Sequence, residues 1–330
     1  MSRLRLDAVR SLCFALTLTV GAAAVSSAGA QTYPPGPVQL VVTTAAGGSG
    51  DFVARAFAER LSEELGQPVI IENQPTGNGN LAVSQVARAK PDGQTLLFTN
   101  DSTLTVNPHL YKNMAVNPFR DLSPISTMTR MDMVLTVNAQ SPFRSVKDVI
   151  DEAKKNPGKL NYASTGLGTQ LHIGLELFKA KTKTDIVHVP YRGNTGAMAD
   201  LMGGRVEMIL IGVPGAKAQM DGGRLRVLAV AASKRAPLLP DVPTMAEAGV
   251  PDYEVSSWYG ALAPAKTPQP ILDRLSAAAR KIAADPRFVS TMGTRGMEVV
   301  GNTPAEMTGV MRADSEKWGR VIADTGTKVE

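Results

Sequence analysis

From Val38 onward the chain alternates short β-branched apolar runs with longer amphipathic stretches, and this alternation limits the fold more than any other feature. Parallel neighbours need a crossover long enough to hold a helix, so strand-length runs separated by helix-length stretches predict an α/β chain with a largely parallel sheet. The first unit reads as a strand over Val38–Val42, a glycine-rich turn, and a helix from Asp51 to Leu65 with Phe52, Ala56 and Leu61 on one side and Gly66 as its stop. A strand at Val69–Ile71 follows, then a Gly/Asn turn over Asn73–Asn80, a helix to Ala89, and a strand at Thr95–Phe98. Both crossovers should be right-handed.

A second series begins after Pro124: an apolar run at Met133–Val137, a helix at Ser145–Asn156, a strand at Leu160–Ala163, a helix at Thr169–Lys181 and a strand at Ile186–Val189. A short helix around Ala197–Leu201 and runs at Val206–Ile211 and Leu225–Ala231 complete it before proline-rich connections at Pro237–Pro251. Helices at Pro270–Ala284 and Pro304–Ile322, the latter anchored by Trp318, are expected to fold back onto the first series. With 330 residues, 43% of them hydrophobic, there is enough material for two medium domains. The expected architecture is two α/β lobes, each a mainly parallel sheet flanked by helices. Residues 31–127 and 232–330 form the first lobe and 128–231 the second, with crossings near Ser126–Thr129 and Val230–Ser233. Such lobes hinge, and ligands bind between them.

Residues 1–30 are expected to be a signal peptide. Arg3, Arg5 and Arg10 lead into the apolar run Leu12–Val25, and Ala28-Gly29-Ala30 supplies the small residues of a cleavage site before Gln31. The run is shorter than the roughly 20 residues a span needs. Cys13, the one cysteine, lies inside this segment and lacks the small residues that precede a lipid-modified cysteine. A processed chain therefore has no disulfide, thiolate metal site or cysteine nucleophile, which suits a bacterial periplasm. Removing three arginines and Asp7 takes the formal charge from +5 to +3, and no nucleic-acid partner is indicated.

Three turns carry chemistry. Ala45–Asp51 joins a strand to a helix, and its glycines let backbone N–H groups beside Ala46, Gly47, Gly48, Ser49 and Asp51 turn toward an anion; ordinary turn chemistry accounts for the same residues. A phosphate-binding Walker loop is excluded, since no Gly-Lys-Ser/Thr follows and Asp51 would repel phosphate; the dinucleotide fingerprint lacks its third glycine. Ser164–Thr169 repeats the arrangement in the second series, so Ser164, Thr165, Gly168 and Thr169 should face the first turn and hold a carboxylate by hydroxyls and dipoles. Asn100 lies in the loop Thr99–Ser102 at a strand's carboxyl end. His172, one helical turn beyond Thr169, either reaches the ligand or satisfies the first-turn backbone; His109 and His188 are assigned no role. Enzyme constellations are thin, with three histidines, no His-Glu-x-x-His and no Gly-x-Ser-x-Gly. A Ser164–His172 hydrolase is an alternative that lacks a third group to orient the imidazole. No catalytic residue, cofactor or metal is expected.

The segments Leu40–Asp51, Pro91–Leu97, Leu160–Ser164, Val187–Gly193, Leu239–Thr244 and Ser257–Gly260 together resemble the Bug-type extracytoplasmic receptors of the tripartite tricarboxylate transporter family, over Tyr33 to the C-terminus. The resemblance implies a two-lobed Venus-flytrap fold of the type II kind and a ligand carboxylate held between the first turn and Ser164–Thr169, partly through water. It adds Tyr191 to the expected contacts and implies permease subunits as partners; a monomer is expected. Two departures stand out. Such receptors often read Pro-Pro-Gly-Gly-Gly-Thr-Asp where this chain has Ala45-Ala46-Gly47-Gly48-Ser49-Gly50-Asp51, and many carry Asp-Asn where this chain has Ile211-Gly212. Without that carboxylate a ligand ammonium goes unpaired, which favours a plain or aromatic acid over an amino acid. Arg130 and Arg192 are candidates for a second carboxylate. A receptor that presents its ligand to a membrane sensor kinase is the functional alternative.

Overall fold

Four strands, β1 (Val38–Val42), β3 (Thr95–Asn100), β5 (Asn161–Ser164) and β7 (Met208–Gly212), each run up to a turn that opens a helix, and these turns decide where the site lies. The computed structural model describes residues 33–112 and 114–328; the anticipated signal segment lies outside them. Residues from Gly36 onward form one compact unit. Between the four strands the chain forms α1 (Ser49–Leu65), β2 (Val69–Asn73), α2 (Asn80–Ala87), α3 (Asp101–Thr105), α4 (Asn107–Leu110), α5 (Pro118–Asp121), β4 (Leu122–Asn138), α6 (Val146–Lys155), α7 (Gln170–Thr182), β6 (Val187–Pro190) and α8 (Asn194–Met202). After β7 come α9 (Val213–Asp221), β8 (Leu225–Val230), β9 (Ser256–Pro264), α10 (Gln269–Ala284), α11 (Pro286–Gly293), β10 (Glu298–Val299) and α12 (Pro304–Thr325).

The sheet order is β2-β1-β3-β9-β4-β7-β5-β6, with β8 and β10 also on β4. Its outer parts, β2-β1-β3 and β7-β5-β6, are parallel as the alternation predicts. The middle is antiparallel, because β4 carries the chain out and β9 brings it back. β4 pairs with β9 up to Asp132 and with β7 and β8 from Met133, so one strand serves both halves. The return lies beside it: Ala231 N donates to Met133 O, Met133 N to Val255 O and Val255 N to Ala231 O. Three backbone hydrogen bonds thus tie β4 at Met133 to the segments that follow β8 and precede β9.

Burial follows the sequence pattern. β1, β3 and β7 are apolar runs buried on both faces, as strands covered by helices on each side must be. The last helix departs from the expectation that it packs on the first series alone. Met307 and Met311 of α12 sit with Val41, Leu97 and Leu262, while Trp318, Val321 and Ile322 sit with Leu135, Phe178 and Leu210. At 1.5 Å per residue, the 22 residues of α12 extend about 33 Å, enough to bridge both halves. Among the described residues no helix is long and apolar enough to cross a membrane.

Candidate ligand-binding site

A cavity of about 700 Å3 lies at the carboxyl ends of β1, β3, β5 and β7, beside the stretch of β4 that changes partners. This is where an α/β sheet opens a crevice. Four helices of nine residues or more begin there, α1, α7, α8 and α9, with Gly48, Thr169, Gly193 and Gly212 at their N-caps. None of the four has a side-chain cap. Their first-turn N–H groups therefore keep their donor capacity and add partial positive charge. Arg192 and Arg295 line the same space and no Asp or Glu does. Among the described residues no ion pair engages either guanidinium; Arg295 lies over the Phe52 ring at 4.4 Å. The arrangement attracts anions and offers no carboxylate to an ammonium group.

The first turn is shaped from behind. Gly47, with φ +80°, takes the left-handed conformation, and its N–H donates to Asp51 Oδ2 at 2.9 Å. Asp51 also accepts from Arg55 Nε at 2.9 Å and Asn73 Nδ2 at 2.8 Å. Burial raises its pKa, but the bonds from Arg55, the Gly47 amide and Asn73 outweigh this and hold it below the usual carboxylate range. Asp51 thus clasps the turn from the far side and does not line the cavity. Gly50 must be glycine: a Cβ there would stand 2.5 Å from Thr44 Oγ1 and 2.8 Å from Tyr259 Cε1. Thr44 Oγ1 and Gln170 Oε1, both on residues of the cavity wall, are buried and find no partner among the described residues.

The second turn stands on stacked rings. Ser164 is fully buried and bonds His188 Nε2 at 2.6 Å. His188 stacks on His172 with centroids 4.0 Å apart and on Tyr162 at 4.9 Å. His172 Nδ1 accepts the Gly168 N–H at 3.0 Å, so of its two expected roles it performs the backbone one. Burial pushes His172 down to about 4, with Lys179 adding to it; burial and then His172 push His188 down to about 4. The Ser164–His172 pairing does not occur, because His188 occupies Ser164, and no substrate reaches a serine with no exposure. Thr169 Oγ1 donates to Gly166 O at 2.8 Å, which leaves the start of α7 uncapped.

Of the residues expected from the sequence, Ala46, Gly47, Gly48, Ser49, Asn100, Thr165 and Thr169 line the cavity together. Asp51, Ser164, Gly168 and His172 lie behind it as described, and Tyr191 turns its hydroxyl to Asp200 Oδ2 at 2.7 Å. Arg192 lines the cavity, whereas Arg130 pairs with Asp132 at 3.4 Å and lines a separate pocket on the opposite side of β4 and β9. Sequence reasoning did not single out Thr44, Met131, Gln170, Asn194, Thr195, Tyr259 or Arg295, all of which line it. Beneath the floor Ser257 Oγ donates to Asp101 Oδ1 at 3.1 Å. Burial, then Asp314, push the Asp101 pKa well up, which disfavours a negative charge there. Among the described residues no group of three His, Cys, Asp or Glu is placed to hold a metal ion.

Comparison with known proteins is consistent with this geometry. The family description "Tripartite tricarboxylate transporter family receptor" matches residues 53–327. Protein BugT of Bordetella pertussis is 33% identical over 331 residues and spans 100% of both chains. An R. palustris protein solved with adipate superposes with a TM-score of 0.81 at 34% identity, covering 90% of this chain and 99% of that one. MatC from Rhodopseudomonas palustris, solved with bound malate, gives a TM-score of 0.79 at 30% identity, covering 88% and 100%.

Proposed function

Since the chain belongs to the tripartite tricarboxylate transporter receptor family, a family of periplasmic solute-binding receptors and not of enzymes, we propose that it captures a small organic carboxylate and delivers it to the membrane subunits of such a transporter. The observation that carries this reading is the single cavity bounded by both glycine turns, with four uncapped helix starts and two arginines but no carboxylate. The ligand is a dicarboxylate or an aromatic acid. One carboxylate sits between the Ala46–Ser49 turn and the Thr165–Thr169 turn, held by backbone amides and hydroxyls. Arg192 and Arg295 take a second acceptor by forked hydrogen bonds. Adipate and malate in two relatives support this class. The lobes, 31–127 with 232–330 and 128–231, turn about the adjoining crossings, and a bridging anion favours the closed form by binding both sides at once. Residues 1–30 direct export to the periplasm.

A thermal-shift and calorimetric screen of aliphatic and aromatic acids against their uncharged amides tests this. At about 100 times its dissociation constant the ligand should add about 2.7 kcal/mol of stability, and Gly48→Val should abolish the effect by filling the approach to the turn. Amides that bind as well as acids, or an unchanged affinity in the Gly48 variant, would refute the reading.

A further inference from the structure

The large cavity continues on the side of α9 into a second one of about 420 Å3. The two share six lining residues, Met131, Ile211, Gly212 and Arg295 among them, so they are compartments of one space. Their chemistry differs. The first compartment is bounded by glycine-rich backbone, hydroxyls and amides. The second adds Met198, Pro214, Ala218 and Met297 to the shared Met131 and Ile211, and its walls are mainly apolar. Three methionines in one small space make a soft, polarisable surface that adapts to a flat ring or a bent chain.

The annex is a half-open recess with one fixed side. A Cβ on Gly296 would stand 2.0 Å from Pro214 Cγ, and Gly296 has φ +56°, so the loop after α11 and the start of α9 touch there at a position only glycine tolerates. The neighbours of that glycine, Arg295 and Met297, form part of the wall. Arg295 belongs to both compartments, its guanidinium on the face of Phe52. A cation seated over a ring at the junction lets apolar surface pass beside it while its N–H groups stay with the anionic end. A similar division holds at Gly212: a side chain there would collide with Met131 Sδ at 2.3 Å, so Met131 occupies the space a polar side chain would need.

We propose that the ligand is a carboxylate bearing an apolar body of at least aromatic-ring size, its head between the paired turns and its body in the methionine-lined annex past Arg295. This rests on the carboxylate reading of the site. A four-carbon acid held by its carboxylate in the first compartment leaves the annex unused; a phenyl or medium-chain acid uses both.

Calorimetric titration of the purified protein with acetate, butyrate, hexanoate, phenylacetate and 3-phenylpropanoate tests it. Affinity should rise about fourfold for each added methylene that enters the annex, and the phenyl acids should bind at least tenfold tighter than butyrate. Ala218→Phe changes an exposed helix position on the annex wall, and its ring competes for the recess. It should bring the ratio of 3-phenylpropanoate to butyrate affinity down at least tenfold. Affinity that does not depend on the size of the body, or a ratio unchanged in the variant, would overturn the annex and leave the carboxylate site standing. Failure of all five acids to bind a normally folded protein would overturn the annex, and failure of adipate and malate as well would overturn the site itself.

Discussion

Replacing His188 with Gln should flatten the acid side of the protein's stability profile, and the structure sets the size of the effect. His172 and His188 stack at 4.0 Å and each titrates near 4, against 6.5 for a free imidazole. Above pH 6.5 neither the folded nor the unfolded chain protonates these rings, so they contribute no slope. Between 6.5 and 4 the unfolded chain binds protons that the folded one does not, so stability falls as pH falls; below 4 the full deficit has been reached. At pH 4.5 the loss is about 2.5 kcal/mol per ring. Gln at position 188 keeps a polar partner for Ser164 and removes one of the two titrations. His109, also lowered by burial, acts in the same direction, while the raised Asp101, Asp132 and Asp314 act in the opposite one. The informative quantity is therefore the difference between wild type and variant, in which these groups cancel. Urea unfolding at pH 7.5, 6, 5 and 4.5 measures it: the variant should gain on the wild type by about 2–3 kcal/mol across that range. Two curves that stay parallel would show that burial and stacking do not hold these rings neutral, and would remove the account of the second turn given above.

Gly50→Ala should lower stability by about 1–3 kcal/mol, because its Cβ would meet Thr44 and Tyr259, and should weaken ligand binding as well; thermal melts with and without ligand separate the two effects. Asp51→Ala, which strands the Gly47 amide and Arg55, should cost about 1–3 kcal/mol at pH 7 and less in acid. Its carboxylate titrates below the usual range, so the stability it supplies is present above pH 3.8 and lost as pH falls through its lowered pKa. Thr169→Ala removes the bond to Gly166 O, and calorimetry should find weaker ligand binding with a stability change of about 1 kcal/mol or less.

β1, β3 and β7 were legible because each is a mainly apolar run with a helix behind it, buried on both faces. β9 was not, although it lies at the centre of the sheet. Its sequence, Ser256 to Pro264, has no β-branched residue and carries a glycine and two alanines. The structure gives the reason: β4 and α12 crowd this strand. A Cβ on Gly260 would stand 2.8 Å from Ser126 O and 2.9 Å from Met307 Cε, so close packing selected small residues that a propensity reading takes for a loop. α9 was hidden in a similar way, since it opens on Val213-Pro214-Gly215, which reads as a turn. Arg295 had no local signal at all. It enters the site because α11 packs on α1, with Arg287 bonded to Glu63, which brings a loop some 240 residues later to the first helix's opening turn.

The site was more legible than its residue list, and helix capping shows why. Where a helix starts away from the cavity, the sequence often supplies an acceptor: Ser145 with Asp148 and Thr303 with Glu306 form capping boxes, and Asn117 and Asp285 cap α5 and α11. At the cavity the N-cap positions are Gly48, Thr169, Gly193 and Gly212, and the one hydroxyl among them is bonded to Gly166 instead. A glycine N-cap costs a helix only about a few tenths of a kcal/mol relative to a side-chain cap, so the four starts keep free N–H groups at little cost, and an anionic ligand can accept from them. The two glycine turns named from the sequence were two of these four starts. The others lay in Tyr191-Arg192-Gly193 and Ile211-Gly212, read for their side chains when the informative feature was the acceptor they lack. The side chains that looked chemical, Asp51, Ser164, His172 and Tyr191, hold their bonds within the protein. They fix the turns in place so that backbone donors face the ligand, and that division of labour explains why substitutions at the buried clasp should change stability first and affinity second.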